Sequence, residues 1–260
     1  MLIIAMPKSA STSLLTTLCR LHGMEDRTRM IRRHYLVDLP IASDYSVFFL
    51  MHADMRELDS KVLSLLTQTD NFCKLHLPPT ENNQCLLRAH KKVILLRRPE
   101  GVIGAYKRGE DTGVFPMKSL DFVFCVSEEE WLRKARQTGL LKQMQMFYEG
   151  WMQHKGDKLL IHYEELISRP RETIRAIEAY WDLPLSEEME LDRKRYTRLQ
   201  EEKRQIVGQS RMSVLLRRTP RICKRLARDL LRGLGWKPNY AERFKRKLLA
   251  EPEDGLLADR

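Results

Sequence analysis

Short apolar runs alternate with helical patterns along most of this chain, and that alternation limits its fold more than any other feature. Residues 2–6, 46–51 (SVFFLM), 71–76 (NFCKLH), 91–98 (KKVILLRR) and 158–163 read as strands. Residues 12–22, 99–108, 127–156 and 170–181 read as helices, the third opened by Ser127 with Glu128–Glu130 behind it. Strands that alternate with helices predict an α/β fold, a mainly parallel sheet with helices on both faces. Ligands of such sheets bind at the carboxyl ends of the strands. Lys8, His76, Arg97 and Tyr163 each close or follow one of these strands.

The first strand runs into a turn of small hydroxyl residues around one lysine, IIAMPKSASTSLL at 3–15. A helix start carries unpaired backbone N–H groups and the positive end of the helix dipole. Small side chains let an anion approach those groups, so Lys8 and Ser9–Ser13 predict a phosphate cradle. The turn resembles a P-loop without its Gly-x-x-x-x-Gly-Lys-Ser/Thr pattern, since no glycine precedes Gly23. The alternative is a helix capped by one of its own hydroxyls, with Lys8 an ordinary solvated lysine.

The chain has 260 residues, enough for one large α/β domain, and no apolar run long enough to cross a bilayer. Its apolar start, Met1–Met6, has no basic region before it and does not read as a signal peptide. Five scattered cysteines without a C-x-x-C argue against a disulfide or zinc framework and for a reducing, cytoplasmic setting. Net charge is +11, but residues 193–247 alone hold 19 Lys/Arg and 4 Asp/Glu. That imbalance predicts a polyanionic partner for the C-terminal segment.

Four blocks of sequence carry a family resemblance. PKSASTSLL (7–15) is similar to the phosphate loop of sulfotransferases that use 3′-phosphoadenylyl sulfate (PAPS). KLHLP (74–78) resembles a segment of the cytosolic branch of that family. VILLRRPEGVIGAYKR (93–108) resembles its Arg-x-Pro strand end and following helix, and IHYEELISRP (161–170) its last strand exit. The blocks come in the family's order over residues 1 to about 185. The resemblance implies a P-loop-like sulfotransferase fold, one domain over 1–260, PAPS as donor, no metal, and a hydroxyl- or amine-bearing small molecule, carbohydrate or glycolipid as acceptor.

It also implies roles. Lys8 would meet the 5′-phosphosulfate and the leaving oxygen, and Ser9, Ala10, Ser11, Thr12 and Ser13 would cradle the phosphate. His76 would act as general base, since an imidazole titrates near working pH at about 6.5. Its alternative is a structural histidine. Lys74, two residues away on an extended segment, shares its face and would touch the sulfuryl oxygens. Arg97 would fork onto the 3′-phosphate, and Tyr163 would lie against the adenine.

The chain departs from the family at several positions. Ala10 stands where the loop has glycine, Ser13 where cytosolic members have tryptophan, and Ala105 where they have a serine on the 3′-phosphate. Lys107, Arg108 or the basic segment would have to replace that serine. The family's late phosphate loop has two partial matches, residues 207–212 and 235–237. In the C-terminal segment Ile222, Leu226, Leu230 and Leu234 recur every four residues among Arg221, Lys224, Arg225, Arg228 and Arg232. That pattern suits a helix with a solvated basic side. It also suits one lying peripherally on an anionic membrane, or a groove for an anionic glycan. No nucleic-acid reader pattern is present. Two other functions compete: a non-catalytic membrane- or polyanion-binding protein on this scaffold, and a P-loop small-metabolite kinase.

Overall fold

The computed structural model describes residues 1–28, 66, 70–112, 120–122, 124–187 and 191. The chain divides into two compact units, 1–217 and 218–260, and every described residue belongs to the first. The strand expected at 46–51, the basic segment at 193–247 and both partial matches to the late loop lie outside the described residues.

Among the described residues, five parallel strands form one sheet in the order β2-β3-β1-β4-β5. They are β1 (Leu2–Ala5), β2 (Glu25–Asp26), β3 (Asn71–Leu75), β4 (Lys92–Leu96) and β5 (Lys158–His162). The helices among the described residues are α1 (Ser11–His22), α2 (Glu81–Leu86), α3 (Pro99–Thr112), α4 (Glu128–Gln137), α5 (Leu140–Gln153), α6 (Tyr163–Ser168) and α7 (Pro170–Tyr180). The fold is the α/β, mainly parallel sheet expected from the sequence.

Alternation along each strand divides the core into two halves. Leu2, Ile4, Cys73, Leu75, Ile94 and Leu96 face one way, against Val102, Ile103 and Tyr106 of α3, Trp131 of α4 and Met144, Phe147 and Trp151 of α5. Ile3, Ala5, Phe72, Val93, Leu95 and Ile161 face the other, against Leu14, Leu15 and Leu18 of α1 and Ile174 and Ile177 of α7. Each large apolar side chain so buried stabilises the fold by about 1.5–3 kcal/mol relative to exposure. Because β1 is covered on both faces and paired on both edges, its residues are apolar without a polar interruption.

The long helix expected at 127–156 is two helices. Ser127 caps α4 in a capping box with Glu130, and Thr138 ends it. Gly139 follows at φ +74 and starts α5. A left-handed residue stops a helix, and glycine adopts that conformation at no steric cost. The helix expected at 99–108 instead runs on to Thr112.

At the amino end of the sheet, Lys92 is fully buried. Its ammonium donates to the carbonyls of Leu87 (2.6 Å), His90 (2.8 Å) and Asp157 (2.8 Å). It thereby ties the starts of β4 and β5 to the turn after α2, far along the strands from their carboxyl ends.

Candidate active site

The carboxyl ends of β1, β3, β4 and β5 deliver the expected site residues to one side of the sheet. Lys8 follows β1, Lys74 lies in β3 with His76 just after it, Arg97 follows β4, and Tyr163 follows β5 to open α6. Strand register holds these ends level: Ile4 pairs with Leu75, Ala5 with Leu95 and Leu96 with His162.

The turn after β1 is built on two left-handed residues, Lys8 and Ala10, both at φ +62. Neither is glycine, and such a conformation costs about 1–2 kcal/mol at each. Ser9 between them is buried, and its hydroxyl donates to the Met6 carbonyl at 2.6 Å. Its side chain therefore braces the turn, while its backbone remains part of the cradle. Ala10 is the N-cap of α1 and has no side chain to cap with, and Ser11–Ser13 put no acidic residue in the first turn. Alanine is a poor cap because it leaves the first N–H groups of the helix to other acceptors. In place of the hydroxyl cap considered from sequence, the N-cap is Ala10, which makes no side-chain cap bond. At the other end Gly23, φ +63, closes the helix with its N–H on the Cys19 carbonyl.

The neighbouring strands clasp this turn. Arg97 Nη1 donates to the Lys8 carbonyl at 2.7 Å. Its guanidinium lies 3.8 Å from the centroid of the Tyr163 ring, a stacked cation–π contact. Arg97 Nε is buried without a partner among the described residues. Burial lowers the pKa of this guanidinium, with the nearby Arg108 charge acting the same way. One face of Tyr163, expected to lie against an adenine, is therefore occupied by Arg97. Gly101 makes room for this: a Cβ there would come within 3.1 Å of Arg97 Nε.

Lys74 Nζ donates to the Thr12 hydroxyl at 2.9 Å, which links β3 to the first turn of α1. Its own backbone N–H donates to Thr28 Oγ1 at 2.9 Å. His76 is half-buried, and its Nδ1 lies 2.5 Å from the Ala5 carbonyl. A carbonyl can only accept, so Nδ1 carries the hydrogen. In the neutral ring that leaves Nε2 as the basic nitrogen, as a general base requires.

Burial pushes the Lys8 ammonium down to about 8. It lies 5.3 Å from the centroid of the Tyr106 ring on α3. Of the groups expected to replace the serine missing at Ala105, Lys107 is engaged with Asp111 at 2.5 Å and Arg108 is exposed. Sequence reasoning did not find Tyr106, Thr28 or Gly101. Tyr106 repeats the apolar face of Val102 and Ile103, so its pattern is that of a core residue.

The arrangement can bind a phosphate group and take a proton beside it. The Ala10-capped helix start places backbone N–H donors where an anion could approach. Among the described residues, no group of three or more His, Cys, Asp or Glu could hold a metal ion.

The family model for the sulfotransferase domain matches residues 1–218. No curated protein matches the chain. Among solved structures, mouse sulfotransferase SULT7A1 complexed with PAP is similar with a TM-score of 0.44 and 14% identity, over 81% of this chain and 66% of that one. This chain thus spans just under two-thirds of the mouse enzyme. A sulfotransferase from Alicyclobacillus acidocaldarius is similar with a TM-score of 0.45 and 14% identity, over 82% of this chain and 92% of that one. By the match across most of its length, the chain belongs to the sulfotransferase family.

Proposed function

We propose that the protein transfers a sulfuryl group from PAPS to a hydroxyl, or with lower preference an amine, of a small molecule, carbohydrate or glycolipid. One observation carries this reading: His76 is held with Nε2 as its basic nitrogen beside a lysine-bearing helix start that no side chain of its own N-cap satisfies.

PAPS supplies a sulfuryl group already joined to a phosphate leaving group. The chain's residues supply position and charge, which dominate transfers of this kind. The first N–H groups of α1 and the Thr12 hydroxyl hold the 5′-phosphate. Lys8 places its charge where the leaving oxygen gains its own. Lys74, released from Thr12, turns to the sulfuryl oxygens. Arg97 offers its guanidinium to the 3′-phosphate, and Tyr163 offers the ring face opposite Arg97 to the base. His76 Nε2 takes the acceptor proton while Nδ1–H stays on the Ala5 carbonyl. The strongly basic C-terminal segment favours an anionic glycan or glycolipid acceptor, or an anionic membrane face, as a partner.

The product nucleotide 3′-phosphoadenosine 5′-phosphate (PAP) tests the donor half of this reading. Millimolar PAP should raise the melting temperature of the full chain. No shift would argue for a different ligand. A shift without turnover of PAPS against a broad acceptor panel would favour the non-catalytic function.

A further inference from the structure

We propose that Tyr106 is a positioning residue that holds the Lys8 ammonium at the mouth of the phosphate cradle through the face of its ring. The inference rests on the donor-site reading above and assigns a part of that site to a side chain on a different element.

The geometry carries it. Lys8 leaves β1 in a left-handed conformation, so its side chain departs from the path an ordinary strand exit would take. Its carbonyl end is fixed by Arg97 Nη1. Its ammonium end lies over the Tyr106 ring, 5.3 Å from the centroid and inside the roughly 6 Å reach of a cation–π contact. Tyr106 itself has little freedom. It is buried on the face of α3 that also carries Val102 and Ile103, one helical turn behind it.

Among the described residues, the charged and titratable groups near the cradle include Lys74 and His76 from the β3 side and Arg97 after β4, with Arg108 and Glu164 acting on Arg97. The Arg97 guanidinium is a permanent cation, so its charge repels the Lys8 ammonium. A ring face attracts it without neutralising it. A carboxylate at this position would fix the lysine equally well but would compete with the donor's phosphates. The aromatic ring therefore orients the cation while leaving its charge available to the ligand. Burial, which lowers the lysine's pKa, increases the value of such a contact because the attraction grows as water is removed.

A binding cycle with PAP as the probe tests this on the full chain. The variants are Tyr106→Leu, Lys8→Met and the double variant, each checked for an intact melting transition. Tyr106→Leu should weaken PAP about 5- to 30-fold, and Tyr106→Phe, which keeps a ring face, should lose threefold or less. In the Lys8→Met background Tyr106→Leu should cost nothing further, because no cation remains to position. An equal loss in both backgrounds would show that Tyr106 only packs the core, and would overturn the proposal. Should Tyr106→Leu not fold, fluorinated phenylalanines at 106 keep shape while draining the ring's negative face. PAP affinity should then fall stepwise with fluorine count, and an unchanged affinity would overturn the proposal as well. Failure of the unsubstituted chain to bind PAP refutes the donor reading itself, a result distinct from either variant outcome.

Discussion

At the scale of single residues, the two groups central to the chemistry should fail in different ways. On the proposed reading Lys8→Ala removes a charge that would meet the donor both before and during transfer, so PAP affinity and turnover should fall together. His76→Ala leaves the cradle whole. Turnover should drop by about 10²–10⁴ with PAP affinity nearly unchanged, as single-turnover kinetics and equilibrium binding would separate. The depressed lysine gives a pH signature. With a free-state pKa near 8, Lys8 loses its proton above that pH and must regain it when PAP binds. Affinity should therefore be flat between about pH 7 and 7.5 and fall by up to tenfold per unit above about 8. The phosphates, with second pKa values near 6, are already fully charged there. A flat profile through this window would exclude Lys8 from phosphate contact. Ala10 offers a separate test. Glycine at φ +62 carries no steric penalty, so Ala10→Gly should stabilise the chain by about 0.5–1 kcal/mol after its larger unfolded-state entropy is counted. Urea midpoints would show it.

At the scale of elements, the segment after β3 is what aims His76, and it is held from two sides. Asn83 and Gln84 of α2 donate to the carbonyls of Pro78 (2.8 Å) and Pro79 (2.9 Å). The Trp151 indole of α5 donates to the Leu77 carbonyl at 2.7 Å. Gly150 lets α5 approach so closely that a Cβ there would meet Pro79 Cγ at 2.5 Å. Gly150→Ala should therefore cost about 1–3 kcal/mol despite alanine's better helix propensity, because the proline cannot yield without moving the loop. Turnover should fall more than PAP affinity, since the loop carries the proposed base and not the proposed phosphate cradle. The sequence made β1, β4 and β5 legible because each holds an unbroken apolar run between polar or proline boundaries, and β3 because Phe72, Cys73 and Leu75 outweigh the Lys74 among them. It hid the break at Gly139, where an isolated glycine reads the same whether it sits inside a helix or ends one. It also hid β2, whose Glu25 and Asp26 are exposed and have no apolar signal.

At the scale of the whole molecule, the candidate residues and the buried tie lie at opposite ends of the sheet. The carboxyl ends gather Lys8, Lys74, His76, Arg97 and Tyr163, and the amino ends are tied by buried Lys92. Lys92→Met leaves three carbonyls without their donor and should destabilise the fold by about 3 kcal/mol, while PAP affinity in the folded protein stays unchanged. Residues at strand ends were readable as site candidates because topology alone places them. Tyr106 and Thr28 were not, since their parts come from packing between elements far apart in sequence, and Gly101 was not because its part depends on where the side chain of Arg97, four residues earlier, is laid. The open first turn of α1 was only half readable: the hydroxyls suggested a cap, and the left-handed Ala10 showed that none of them provides it. The most direct test of the whole account is turnover of radiolabelled PAPS, read as label transferred to a panel of hydroxyl acceptors together with PAP released. The unsubstituted chain should transfer label to at least one acceptor with equal release of PAP, and His76→Ala should bind PAP yet transfer about 10²–10⁴-fold more slowly. PAP binding with no transfer to any acceptor, or transfer that His76→Ala leaves at full rate, would contradict it.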